Sequence, residues 1–288
     1  MNIKKSLKNF YPRISPANAD FKFVLFGVFA VIFFSCASIA PVSSEIENLV
    51  PNWRRHAAGI EYYQGRIESP RLEFWALRID LESPQIEIVC GSNAANATVS
   101  GFVRENNFTA GMNAVPFDTA GRNLGIVISG GEMLSPVHPH YDALVFYRGR
   151  NAKAAIVKQT SIESTENILN AIGGFYQILA DGEITQRTLN SEPRHPRSAA
   201  GISENGKYLY LLTIDGRRAG SVGSTEKETA LILQSLGSWN GINFDGGGSS
   251  ALVLRYPDGS IKAINTPIHG GRPGLERAVA GCIGIYSK

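Results

Sequence analysis

Short apolar runs punctuated by turn residues dominate the chain, and few stretches carry a helical period. Residues 74–81 and 85–90 alternate apolar and polar positions on either side of Ser83-Pro84, which predicts two strands joined as a hairpin. Further strands are predicted at 125–129 and at 143–147, the latter ending at Arg148-Gly149-Arg150. Residues 178–184 hold Asp181-Gly182 and read as a hairpin, as do 252–256 and 260–264 around Pro257-Asp258-Gly259. The continuous apolar run 208–214 predicts a strand central in a sheet, and 278–286 a last strand.

Three segments read as helices. Residues 98–105 open on Thr98; 161–172 place Ile162, Ile168, Leu169 and Ile172 at helical spacing before Gly173-Gly174. In 225–236, Thr225 and Glu228 form a capping box, Ala230, Leu231, Leu233 and Leu236 are apolar, and Gly237 stands at the C′ position. The expected class is α+β: one domain over residues 60–288, with a mixed, largely antiparallel β-sheet core and two or three helices. Pro51 and the lack of a sustained period make 41–59 a linker.

Composition adds two points. At 288 residues and 43% hydrophobic the chain can bury a large core, and 18% charged residues give no sign of disorder. The net charge of +3 owes much to Lys4, Lys5, Lys8, Arg13 and Lys22, which face only Asp20. The rest is near neutral, so no nucleic-acid partner is expected. Those basic residues precede an apolar run at 23–34 and then Ser35-Cys36-Ala37-Ser38, so residues 1–40 read as an export signal. Its end fits lipidation at Cys36, cleavage near Ala37 or Ala40, or retention as an anchor; lipidation is favoured and implies a membrane partner through that anchor. Cys90 and Cys282 are then an even pair, open to a disulfide or to burial as two free thiols.

The candidate chemistry centres on residues 241–250. A β-rich run ends on Asp245, and Gly246, Gly247, Gly248, Ser249 and Ser250 let the backbone approach an anion closely. A plain glycine-rich turn is the competing reading. Asp215 likewise follows a strand and precedes glycine. Arg194-His195-Pro196-Arg197-Ser198 gathers cationic donors in one loop, and Arg217 adds another. The glycine run lacks the Gly-Lys-Ser/Thr ending of a P-loop; no Gly-x-Ser-x-Gly elbow or His-Glu-x-x-His is present. No cofactor or metal is expected. Ser249 or Ser250 as a nucleophile with His195 as base is a lesser alternative.

Taken in order, residues 195–201 (His195-Pro196-Arg197-Ser198), Asp215-Gly216-Arg217, Gly223-Ser224-Thr225, Asn243 to Ser250 and Glu276-Arg277-Ala278-Val279 resemble the phosphodiester glycosidase family from about residue 60 onward. The resemblance implies hydrolysis of a sugar-1-phosphodiester to free sugar and a phosphomonoester. It points to Asp245 as the first choice of catalytic carboxylate, Asp215 as the second, and His195 beside them. Asn113, Arg197, Arg217, Asn243, Gly246, Gly247, Gly248, Ser249 and Ser250 become substrate- and phosphate-binding candidates. One departure stands out: where the family has Asn-Gly-Gly-Phe-Phe, this chain has Asn113-Ala114-Val115-Pro116-Phe117, which adds bulk and removes an N–H. That change motivates a rival expectation, a non-catalytic envelope lipoprotein that binds carbohydrate or phosphate on the same fold.

Overall fold

The strand Tyr208–Ile214 is the spine of the fold, and its apolar run is explained by burial on both faces. Leu209 and Leu211 point into a central cluster with Leu77, Ile79, Ile242 and Phe244, while Tyr210, Leu212 and Ile214 pack on the other side beneath a helix. Truncating such a residue, Leu211→Ala for example, costs about 2–5 kcal/mol. The computed structural model describes residues 42–92, 97–149 and 154–288, within a single compact unit, Ile39–Lys288.

Eight strands form the main sheet, in the order Arg54–Ala57, Ile60–Ile67, Leu72–Asp80, Tyr208–Ile214, Arg197–Ile202, Asn240–Asn243, Tyr176–Ala180 and Glu183–Ile184. A five-stranded sheet holds Glu132–Ser135, Val127–Ser129, Ile168–Gly173, Asp142–Tyr147 and Ala154–Lys158. A second five-stranded sheet holds Ile261–Ala263, Leu252–Arg255, Ala110–Asn113, Gly281–Ser287 and Ile86–Ser92. All three contribute to the central cluster, through Leu211, Leu144 and Met112 respectively.

The helix Glu226–Leu236 forms as its sequence requires. Thr225 Oγ1 accepts from the Glu228 N–H at 3.1 Å, a Glu228 carboxylate oxygen accepts from the Thr225 N–H at 2.9 Å, and Gly237 ends the helix with φ +108°. It bridges Tyr208–Ile214 to Asn240–Asn243, which run parallel to each other because each is antiparallel to Arg197–Ile202 between them. Both strands therefore end at the same edge as Arg197. The helix Val99–Glu105 covers the third sheet, capped by Thr98 and by Glu276, whose carboxylate accepts from the Ser100 hydroxyl and N–H.

Several sequence expectations need correction. The paired strands of the described residues are antiparallel, not mixed; the one parallel pairing is an isolated bridge between Ile268 and Leu275. Residues 161–172 are not a helix: Ile168–Gly173 is a strand, whose burial on both faces mimics the i, i+1, i+4 spacing of a helix. Leu72–Asp80 and Ile86–Ser92 are strands but not a hairpin, since they join different sheets. Residues 42–59 are part of the fold rather than a tether, with a short helix Val42–Glu47 that buries Ile46 against the long helix and with the strand Arg54–Ala57. Cys90 and Cys282 are free and buried. Cys90 pairs in register with Ile283, so Cys282 is one residue out of step and faces the opposite side of the sheet. Cys36 and the apolar run 23–34 lie outside the described residues.

Candidate active site

At the end of Asn240–Asn243 the chain leaves the main sheet and turns toward the third. The backbone N–H of Phe244 donates to Ser198 O, that of Asp245 to Ala114 O and that of Gly247 to Pro196 O, each at 2.8 Å. Asn113 pins both ends of the loop: its Nδ2 donates to Asp245 O at 2.7 Å, and its Oδ1 accepts from Ser198 Oγ at 2.8 Å and Ala251 N at 3.1 Å. The glycines answer to close approach. A Cβ on Gly246 would stand 2.7 Å from Pro196 O, and Gly247 has φ +63° with its Cβ position 3.1 Å from Arg217 Nη2.

Asp245 lies between this loop and the segment after it. It is bonded to the Ser249 hydroxyl and the Gly246 N–H and feels the charge of Arg277. Burial outweighs these and raises its carboxyl above the usual aspartate range. Arg277 Nη1 reaches Ser249 Oγ at 3.4 Å, and its guanidinium lies over the Phe117 ring at 4.6 Å. On the other side of the loop, Arg217, itself left-handed at φ +58°, brings Nη2 to 3.4 Å from His195 Nδ1. Burial, then Arg197 and Arg217, push the His195 pKa down, with Glu226 opposing. Burial and the two guanidinium groups thus favour the neutral imidazole. His269 packs against Gly248, where a Cβ would lie 3.5 Å from its Nδ1.

The arrangement gathers a carboxylate reluctant to ionise, two exposed guanidinium groups and an imidazole around the glycine loop, whose N–H groups at Gly246, Gly247, Ser249 and Ser250 are already bonded within the protein, contrary to the expected anion-binding backbone. Cations suit a phosphate, and a carboxylate in their midst can act on the atom attached to it. Among the described residues no group of three His, Cys, Asp or Glu side chains is placed to hold a metal ion.

Other sequence candidates serve the scaffold. Asp215 has a side chain 0% exposed, ion-paired to Arg218 and bonded to Asn265 Nδ2 at 3.1 Å and Thr266 N at 3.0 Å. Its oxygens have no free face for substrate. Arg197 donates through Nε to Ser224 O at 3.2 Å, through Nη1 to Glu226 at 3.3 Å and through Nη2 to Pro193 O at 2.9 Å, which braces its own segment against the start of the long helix. Asn113 is 1% exposed and fully engaged beneath the loop. Ser250 is buried, with its carbonyl bonded to Asn265. Asn243 is buried too, beside Tyr176 and Ala199. Ala114 and Val115 of the changed segment are buried in the central core. Sequence reasoning missed Arg277 and Asn265. The first was visible only within Glu276-Arg277-Ala278-Val279, and the second carries no local signal.

The site thus sets a half-buried carboxylate beside two exposed arginines at the edge of an antiparallel β fold. The family model for phosphodiester glycosidases matches residues 93–286. The chain belongs to that family. Its fold is similar to the zebrafish N-acetylglucosamine-1-phosphodiester alpha-N-acetylglucosaminidase catalytic domain auto-inhibited by its pro-peptide, with TM-score 0.63 and 20% identity over 83% of this chain and 89% of that one. It is also similar to a hypothetical protein from Synechocystis (TM-score 0.56, 16% identity), covering 80% of this chain but only 62% of that one. A Burkholderia pseudomallei K96243 protein described as exported gives TM-score 0.56 and 15% identity over 75% of this chain and 74% of that one. No curated protein matches.

Proposed function

We propose that the protein hydrolyses the glycosidic bond of a sugar-1-phosphodiester, on extracellular or envelope glycans, releasing free sugar and a phosphomonoester. The observation that carries this reading is the seating of Asp245 between Arg277 and the glycine loop, with Arg217 and His195 across that loop. The bond from the anomeric carbon to the phosphoester oxygen breaks, its electron pair staying with the phosphate, and water oxygen bonds to that carbon, either directly or by displacing Asp245 from it. The proton released from water ends on the phosphomonoester or solvent. A phosphate leaves readily, so cations that stabilise its growing charge matter more than a strong general acid. Arg217 and Arg277 take that part. Asp245 serves the oxocarbenium-like centre as nucleophile or as base for water.

The basic and apolar N-terminal pattern supports export, with Cys36 as a lipid attachment point; Cys36→Ser would release the protein from the membrane fraction. Incubating the protein with a panel of sugar-1-phosphodiesters tests the reaction. Free sugar with phosphomonoester is the expected product pair. Sugar phosphate would mean cleavage on the other side of phosphorus, and saturable binding with no product would favour a binding protein.

A further inference from the structure

The first residue of the long helix, Glu226, stands beside the site without belonging to any motif in it. Its carboxylate is ion-paired with Arg197 Nη1 at 3.3 Å and accepts a hydrogen bond from the Tyr176 hydroxyl. Arg197 and Tyr176 lie on the two strands that flank the strand of Asn243: Ala199 and Tyr176 are the register partners of Asn243. Glu226 therefore reaches across the end of that strand. Beneath it, Asn243 is 2% exposed and its Oδ1 has no partner among the described residues. Arg187 closes the far side, its guanidinium 3.8 Å from the Tyr176 ring centroid.

His195 is the mobile-charge member of this neighbourhood. The charged groups facing it are Arg197 on its own segment, Arg217 from the loop after Tyr208–Ile214, and Glu226 from the helix. Two cations and burial oppose a proton on the imidazole; one carboxylate favours it. We propose that Glu226 is a positioning residue of the active site, holding Arg197 and Tyr176 on either side of Asn243 and so fixing the charges around His195. The role in turnover rests on the proposed hydrolysis; the effect on His195 does not.

A neighbouring pair supplies the control. Glu228 is bonded to Arg194 at 2.6 Å and caps the same helix, so its loss weakens the scaffold equally close by while leaving the charge facing His195 in place. The test is an NMR titration of the His195 ring in the parent, Glu226→Gln and Glu228→Gln, with the resonance assigned by its loss in His195→Gln. Glu226→Gln is expected to move the His195 midpoint downward, and to lower kcat about tenfold with KM changed less than about twofold. Glu228→Gln is expected to lower the unfolding midpoint and leave the His195 titration unmoved. If Glu226→Gln does not fold, Glu226→Asp, which draws the charge back by one methylene, shifts the midpoint in the same direction by less. An unmoved midpoint in the folded Glu226 variant, or an equal shift in Glu228→Gln, overturns the proposal. A parent that releases no sugar from any phosphodiester overturns the hydrolysis reading, and the titration still decides the role of Glu226.

Discussion

The loop leaving Tyr208–Ile214 begins with Asp-Gly and the loop leaving Asn240–Asn243 reaches Asp-Gly after Phe244, and they use the aspartate in opposite ways. Asp215 turns inward, where Arg218, Asn265 and Thr266 take up its oxygens. Arg218 is shared with Glu73, so the group ties the loop to the strand Leu72–Asp80 as well as to the segment after Ile261–Ala263. Asp245 is also desolvated, but its partners are the Ser249 hydroxyl, one N–H and the charge of a partly exposed Arg277. Burial raises both carboxyls above the ordinary aspartate range, against more opposing hydrogen bonds at Asp215 than at Asp245. What separates them is access: Asp215 is enclosed by its partners, whereas Asp245 is only half-buried.

The sharpest break in this comparison is Asp215→Asn. Removing one member of a buried ion pair costs about 3–5 kcal/mol, measured by urea unfolding, while turnover per folded molecule stays within a few-fold. A stable Asp215→Asn protein without activity would reverse the assignments. Next come the exposed cations beside the glycine loop: Arg217→Ala and Arg277→Ala should each lower kcat/KM by about tenfold to a hundredfold with little change in unfolding midpoint. Gly246→Ala should cost about tenfold in turnover, because its Cβ would meet Pro196 O at 2.7 Å and displace the loop.

The smallest effect is a pH-dependent stability. The folded Asp245 pKa lies above the unfolded value of about 3.9, so the stability it contributes is present below that value and is lost as pH rises through the folded pKa. Asp245→Asn abolishes that loss. Relative to the parent, the variant should gain stability as pH rises from the unfolded value through the folded pKa, read by urea unfolding across that range. The acid limb of kcat/KM should likewise sit above the ordinary aspartate range.

Much of this frame was legible in the residues. The capping box at Thr225 and Glu228, the apolar run that became Tyr208–Ile214 and the Asp181-Gly182 and Asp258-Gly259 turns are local signals, and local energetics decide them. Two kinds of information were not local. Ile168–Gly173 is a strand because it is buried on both faces, which its spacing alone does not separate from a helix. The opposite fates of Asp215 and Asp245 depend on Asn265, Thr266 and Arg277, which arrive from later in the chain. Arg197 and Asn113 were recognisable as important, but only register and burial reveal that they brace the site from below.

The most direct test of the central claim is the turnover of a sugar-1-phosphodiester by Asp245→Asn beside its unfolding midpoint at pH 7. A loss of at least about a hundredfold in kcat, with the midpoint unchanged or raised, is the predicted result. Turnover near that of the parent in a folded Asp245→Asn protein would contradict it and take the catalytic role away from Asp245.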